Sequence, residues 1–299
     1  MNGRPQLNFV LCPSFHGATL LSLLLNNHSE ITSLGDAIPS RKYDQTCACQ
    51  AKVSECPFWT ELGKRLDVER FSECGNFLPG LPLYSTRDGR GRHATRWYRK
   101  AHKRFGPGIW RFAPRAARRF AGLYQDFYQQ ACDLQSATIF VDGSKSIERA
   151  VIFRNLYGPR AKMRIIHLYR DPRGYFNSCK KHRDQSAESC AREWTEYHRL
   201  VKQEFEGRRG IDYLRICYED VCHQPSAAMA QLFAFLDVAN EDVVRPPEPH
   251  KNHLMGNKML ATFDGVVQVD WSWRERISIA EQQRVLQIAG SDATERGYH

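Results

Sequence analysis

Residues 163–183, Met-Arg-Ile-Ile-His-Leu-Tyr-Arg-Asp-Pro-Arg-Gly-Tyr-Phe-Asn-Ser-Cys-Lys-Lys-His-Arg, decide the fold. Ile165, Ile166 and Leu168 give the short apolar run of a buried strand. Asp171-Pro172 then supplies an N-cap followed by proline at the first helical position, which predicts a helix running toward Arg183. Arg170 thereby falls at the carboxyl end of a strand. In open α/β sheets ligands bind along that edge. An arginine there presents a planar fork of donors suited to phosphate, and the following helix N-terminus adds partial positive charge. Taken alone, Arg170 reads more readily as a surface cation paired with Asp171, so a second anion-binding element has to accompany it.

That element lies near the N-terminus. Residues 7–12 read as a buried strand, Pro13-Ser14-Phe15-His16-Gly17-Ala18-Thr19 as a tight turn, and Leu20 through Asn27 as a leucine-rich helix. A strand, a glycine turn and a helix N-terminus cradle an anion with backbone N–H groups and the helix dipole. The turn lacks the Gly-Lys-Ser/Thr ending of a nucleoside-triphosphate P-loop, and no adjacent lysine reaches for terminal phosphates. A phosphate-like group other than ordinary ATP is the expected ligand.

Strands near 7–12, 30–34, 137–141, 163–168 and 212–217, alternating with helices, predict an α/β chain with a mainly parallel central sheet and helices on both faces. With 299 residues, 42% of them hydrophobic, the chain is read as a single domain over 1–299. Residues 37–136 are an inserted helical cap that walls an acceptor site. Further helices are expected at 225–236 and at 278–290, the latter against the core near 253–260.

The two anion elements, and four further segments in the same order, resemble the PAPS-dependent sulfotransferases of P-loop-like fold. The donor of that family is 3′-phosphoadenosine 5′-phosphosulfate (PAPS). Gly17-Ala18-Thr19-Leu20-Leu21 is similar to the family's Pro-x-x-Gly-Thr-Thr-Leu-Leu turn, which wraps the 5′-phosphosulfate. Arg170-Asp171-Pro172-Arg173 with Ser178 is similar to the strand end that holds the 3′-phosphate. Val141-Asp142-Gly143-Ser144-Lys145-Ser146 resembles the Asp-Ser-Ser-Lys strand end. Residues 214–220 resemble the Tyr-Glu-Asp strand whose tyrosine, here Tyr218, approaches adenine. His253-Leu254-Met255-Gly256-Asn257-Lys258 resembles the Gly-Asn loop over the 3′-phosphate, and residues 273–298 fit the last helices.

The resemblance implies transfer of a sulfuryl group from PAPS to a hydroxyl or amine by in-line displacement. It places donor contacts at Ser14, Phe15, His16, Gly17, Ala18, Thr19, Leu20, Arg170, Ser178, Tyr218, Gly256, Asn257 and Lys258. One departure is Phe15, which stands where the family has Arg or Lys, followed by His16 in place of a usual Ser. A donor-nucleotide-binding protein without catalysis would account for Phe15. A P-loop nucleotide kinase would share the sheet and turn, but needs the lysine this chain lacks.

Sulfuryl transfer, like phosphoryl transfer, rests on positioning and charge stabilisation. Lys145, at the end of a central strand, is the candidate for stabilising charge on the bridging and sulfuryl oxygens. Two residues compete as base. Asp36, in Ser33-Leu34-Gly35-Asp36, falls where several family members carry a Gly-Glu acid, and His16 has an ordinary pKa suited to proton transfer near neutrality.

The formal net charge of +10 is local. Residues 87–119 hold twelve Arg or Lys against Asp88 alone, a charge of +11, so the remainder of the chain carries −1. Trp97, Tyr98, Phe105, Trp110 and Phe112 interleave with these cations. Such a stretch fits an anionic small-molecule, glycan or glycolipid acceptor, or peripheral contact with an anionic membrane surface; a solvated basic face is the plain alternative. Nucleic acid is not expected, since no recognised nucleic-acid module accompanies it. No signal peptide or bilayer-length apolar run is read, and a cytoplasmic location is expected.

Ten cysteines are then thiols or metal ligands rather than a disulfide framework. Cys47-Ala48-Cys49 and Cys56-Pro57-Phe58-Trp59, with Cys74 beyond, gather three or four sulfurs, and zinc takes four ligands tetrahedrally. A similar pattern occurs in some bacterial-type sulfotransferases. The spacing is not that of a standard finger or ribbon, so reduced thiols are the expectation over zinc at Cys47, Cys49 and Cys56.

Overall fold

The structure, a computed structural model, describes residues 6–36, 46–66, 115–255, 258–261 and 263–299. Five strands form one all-parallel sheet: β1 (Gln6–Leu11), β2 (Ile31–Thr32), β3 (Ile139–Asp142), β4 (Lys162–Tyr169) and β5 (Ile211–Cys217), in the order β2-β3-β1-β4-β5. Asn8 is in register with Val141 on one side and Arg164 on the other, so β1 is the central strand. Both β1 and β4 are buried along nearly their whole length, as expected of parallel strands covered on two faces. The carboxyl ends of all five strands share one edge. The turn after β1 lies there, between those after β3 and β4.

The strands fall where the sequence predicts, except that β2 is reduced to two residues. The Asn26 side chain is the reason: it accepts from Ser33 N at 2.7 Å and donates to Ser33 O at 2.8 Å, replacing the ladder bonds a longer strand would make.

The helices are α1 (Ala18–Asn26), α2 (Pro57–Arg65), α3 (Arg115–Gln135), α4 (Ile147–Tyr157), α5 (Pro172–Arg183), α6 (Ala187–Phe205), α7 (Tyr218–His223), α8 (Pro225–Leu236), α9 (Trp273–Arg276) and α10 (Ile279–Thr294). One apolar layer packs Leu7, Phe9 and Leu11 against α2, α3 and α4; the other packs Val10 and Cys12 against α1 and α8. A third cluster joins α5, α6 and α10 around Trp194.

One expectation is corrected, the packing of the last helix. The last helix breaks at Gly290 as expected, where the backbone leaves helical geometry (φ 56°, ψ −141°), and a short further helical segment beyond the kink reaches Thr294. It packs mainly on α6 and α5 rather than near 253–260, because Val285, Ala289 and Ala293 face Trp194 and Tyr175. The start of α10 is as read, Ser278 and Glu281 forming a capping box.

Much of the expected cap, 37–45 and 67–114, lies outside the described residues, and with it most of the basic stretch. The flanking parts join the main core. Tyr124, Phe127 and Tyr128 of α3 belong to the same cluster as Phe9 of β1. Among the described residues no helix is long and apolar enough to cross a membrane.

Candidate functional site

The turn after β1 forms the floor of the sheet edge. Phe15 (φ 64°) and Gly17 (φ 84°) both take the left-handed conformation, which reverses the chain into α1. Gly17 caps α1 without any side-chain hydrogen bond. A helix start of this kind attracts an anion through its amides and dipole. Glycine is required there for a second reason: a Cβ on Gly17 would stand 2.4 Å from Cδ2 of Tyr218, whose ring lies directly over the turn. Cys12, just before the turn, is buried and its thiol is pushed up to about 12, with Lys145 opposing the shift, which leaves it protonated and unfit as a nucleophile.

On one side the β3 turn presents Lys145. Buried Asp142 accepts from Ser144 N at 2.8 Å, from Arg149 Nη1 at 2.7 Å and from the Tyr128 hydroxyl. Burial works to raise its pKa, yet the Arg149 guanidinium and these hydrogen bonds hold it below the ordinary value. The chain then passes through Lys145 at φ 63°, whose carbonyl accepts from the Tyr197 hydroxyl at 2.6 Å. A left-handed non-glycine residue of this kind stores roughly 1–3 kcal/mol of strain, which the flanking hydrogen bonds offset. Lys145 Nζ lies 3.4 Å from Asp36 Oδ2, with side-chain exposures of 21% and 56%. Asp36 reaches it because the β2 and β3 turns touch: a Cβ on Gly143 would come within 2.9 Å of Gly35 Cα.

On the other side Arg170 directly follows β4. Its carbonyl accepts from Trp194 Nε1 at 3.0 Å, and Glu219 accepts from the next amide, Asp171 N, at 2.9 Å. The guanidinium carbon lies 4.7 Å from the Tyr218 ring centroid. Nη1 donates to Phe15 O at 2.6 Å and Nη2 to Asp270 Oδ2 at 3.2 Å. Asp171 caps α5 as the sequence predicts, accepting from Arg173 N, and also binds the Arg173 side chain. Ser178, one turn beyond Gly174, donates to Gly174 O at 3.2 Å. Gly174 itself backs Arg170, since a Cβ there would meet Arg170 Nε at 3.1 Å.

His16 points into the protein. Its Nδ1 lies 3.0 Å from Ser14 O and its Nε2 3.3 Å from His198 Nε2; His198 Nδ1 lies 2.7 Å from His167 Nε2. The Tyr213 and Tyr169 hydroxyls converge on His167 Nδ1, and Arg296 Nη2 donates to Tyr169 at 2.7 Å. A carbonyl only accepts, so His16 Nδ1 carries the proton and His16 Nε2 accepts from His198. His198 Nδ1 in turn accepts from His167, and His167 Nδ1 accepts from the tyrosines. One carbonyl thus fixes three neutral tautomers. Burial lowers His16 to about 3, opposed by the Ser14 carbonyl and assisted by Arg170. Burial first, then nearby cations and histidines, likewise lowers His167 and His198.

The structure therefore brings Lys145 and Asp36 together, and sets Gly17, Arg170 and Tyr218 against one another. Of the two candidate bases, Asp36 is accessible beside Lys145, whereas His16 is enclosed, neutral and engaged at both nitrogens. It supplies no cation in place of the one Phe15 lacks. Instead the Arg183 guanidinium stands 5.0 Å from the Phe15 ring centroid, paired with Glu193 at 3.1 Å. Ser14 and Thr19 are partly exposed, while Ala18 and Leu20 are buried on the core side of α1. Gly256, Asn257 and the side chain of Lys258 lie outside the described residues. Asp270, Arg183, Tyr197 and His198 were not found by sequence reasoning, because no local pattern marks partners that lie this far along the chain.

No family model matches the sequence, and no curated protein is significantly similar to it. Among solved structures, the sulfotransferase domain from the Synechococcus PCC 7002 olefin synthase is similar over 98% of this chain and 96% of that one, with a TM-score of 0.53 at 17% identity. The sulfotransferase domain from the curacin biosynthetic pathway is similar over 100% of this chain and 99% of that one, with a TM-score of 0.47 at 15% identity. The chain thus has the P-loop-like fold of the sulfotransferases, an all-parallel sheet wrapped by helices.

Proposed function

We propose that the protein is a PAPS-dependent sulfotransferase acting on a hydroxyl or amine of a small molecule, glycan or glycolipid. The observation that carries this reading is the convergence, at the ends of three adjacent parallel strands, of an open helix N-terminus (Gly17), a lysine (Lys145) and a buried arginine (Arg170). Three cationic or donor groups at one edge suit a ligand with two separated anionic ends. The fold likeness supports the same class.

In this reading the turn 14–20 holds the 5′-phosphosulfate, and Arg170 with Ser178 holds the 3′-phosphate. Tyr218 lies beside the adenine. The acceptor oxygen or nitrogen attacks sulfur in line, the bond from sulfur to the bridging oxygen breaks, and 3′-phosphoadenosine 5′-phosphate leaves. Lys145 stabilises charge on the departing and sulfuryl oxygens. Asp36 takes the acceptor proton; His16 does not, because a buried histidine lowered to about 3 with both nitrogens engaged is a poor base at neutral pH. Once donor draws Lys145 to its sulfuryl group, the Asp36 carboxylate is released for this role.

Calorimetric titration with 3′-phosphoadenosine 5′-phosphate, beside ATP, tests the donor. Binding of the bisphosphate and not of ATP is expected; absence of bisphosphate binding at millimolar concentration overturns the reading. Transfer of labelled sulfate from PAPS to a metabolite or glycan extract then tests catalysis. Phe15 favours a second reading, donor binding without turnover, which predicts bisphosphate binding with no labelled product.

A further inference from the structure

Four soft donors converge in a cluster that the proposed reaction does not use: Cys47, Cys49, Cys56 and His253, with ligand atoms all within 4.8 Å of one another. The Cys49–Cys56 and Cys47–Cys56 sulfurs are 3.6 and 3.8 Å apart, and His253 Nδ1 is 3.6 Å from Cys47 Sγ and 3.4 Å from Cys56 Sγ. These separations are far too long for a disulfide, whose sulfurs sit ~2.05 Å apart. They match a tetrahedron about zinc: with Zn–S of ~2.3 Å and Zn–N of ~2.0–2.1 Å, two sulfurs stand ~3.8 Å apart and a sulfur and a nitrogen ~3.5 Å apart.

The imidazole is prepared for this role. His253 Nε2 donates to His250 O at 2.9 Å, which fixes the tautomer and leaves the Nδ1 lone pair facing the thiols, the usual support of a metal-bound histidine. Phe58 stacks on the His253 ring at 4.3 Å and 3°, and Trp59 Nε1 donates to His253 O at 3.0 Å, so the ring cannot turn away. Cys47 and Cys56 are buried and Cys49 is half-buried.

We propose that Cys47, Cys49, Cys56 and His253 hold one zinc ion in a closed, structural site. Three thiolates and one imidazole are donors for zinc rather than for magnesium or calcium. Cys74, weighed from the sequence as a fourth sulfur, lies outside the described residues; His253 completes the set without it. The ion ties 46–59 to 250–255, which also pair through Ala48 N to Leu254 O at 2.8 Å and the bridge of Cys47 with Met255. Leu254 packs on Gly35, one residue from Asp36, and 250–255 leads into Gly256-Asn257-Lys258. The site thus buttresses the catalytic edge without touching substrate, and its occupancy does not depend on the reaction proposed above.

The test is metal analysis of the full chain purified under reducing conditions without added zinc, alongside Cys56→Ser and His253→Ala. About one equivalent of zinc is expected in the wild type and less than about a tenth in either variant, with Cys132→Ser, outside the cluster, retaining it. Because a variant that loses the ion can also fail to fold, the wild type is stripped with a chelator and titrated with cobalt(II). The thiolate charge-transfer and tetrahedral ligand-field bands of a Cys3His site are expected. Zinc below a tenth of an equivalent in the wild type together with no such cobalt spectrum overturns the proposal, as does an equivalent of iron in place of zinc. Neither result alters the bisphosphate titration, so the two readings fail separately.

Discussion

Lys145 and Asp36 form an ion pair at the sheet edge, and the proposed role of each can be tested singly. Lys145→Ala is expected to leave bisphosphate affinity nearly unchanged while lowering kcat by about 100-fold or more, the scale of removing one group that stabilises transition-state charge. Asp36→Asn should lower kcat with little change in donor affinity, and the His16→Asn variant should not reproduce that split. Under the proposed donor reading, Arg170 differs in that its fork acts on the ground state. Arg170→Ala is expected to weaken bisphosphate binding by roughly 1.5–3 kcal/mol, the range for hydrogen bonds to charged groups, as read by calorimetry. Arg170 Nη2 is engaged by Asp270. Asp270→Asn is therefore expected to tighten bisphosphate binding, and an unchanged or weaker affinity would show that this carboxylate does not compete with the ligand.

At the scale of elements, the run of three imidazoles joins the β1 turn (His16), α6 (His198) and β4 (His167). Each is lowered by burial, and Arg296, Arg215, Lys202 and Arg170 face the run with like charge. The sign follows from linkage. A histidine whose folded pKa lies below the ordinary ~6.5 binds its proton only in the unfolded chain, so stability is complete above ~6.5 and falls as pH drops below it. Each such group contributes up to about 1.4 kcal/mol per pH unit in that interval. Denaturant unfolding between pH 7 and pH 5 should show this loss, and His198→Phe should flatten the slope by about one proton. An identical slope in the variant would mean His198 is not buried neutral.

These elements also show what sequence can reveal. The β4–α5 junction was legible because strand content, an Asp N-cap and a Pro at N1 all act within a few residues of Arg170. Pro225–Leu236 was legible for a similar reason. The histidine run was not: His16, His167 and His198 carry no mutual spacing signal, and only the parallel packing of β1 on β4 and the crossing of α6 make them neighbours. β2 was over-read because a side chain, Asn26, took the hydrogen bonds that a longer ladder would have used.

For the whole molecule, sheet order decides which local signals become a site. Lys145 and Arg170 were each readable at a strand end, but their place on either side of the Gly17 turn follows from β1 lying between β3 and β4. The Gly17 position ties this edge together, and Gly17→Ala is expected to displace Tyr218 and cost bisphosphate affinity, through both the 2.4 Å approach and the left-handed φ. Retention of wild-type affinity in that variant would show that the turn relaxes without moving the ring.

The cysteine–histidine cluster has a consequence for the birth of the chain. Its first sulfur and its imidazole are 206 residues apart, so during synthesis three thiols emerge early and wait for β3, β4 and β5, three of the five strands, before their fourth partner leaves the ribosome. Chains interrupted between Cys56 and His253 carry three sulfurs without their imidazole partner. Closure of the cluster thus marks a polypeptide whose last strand has already been made.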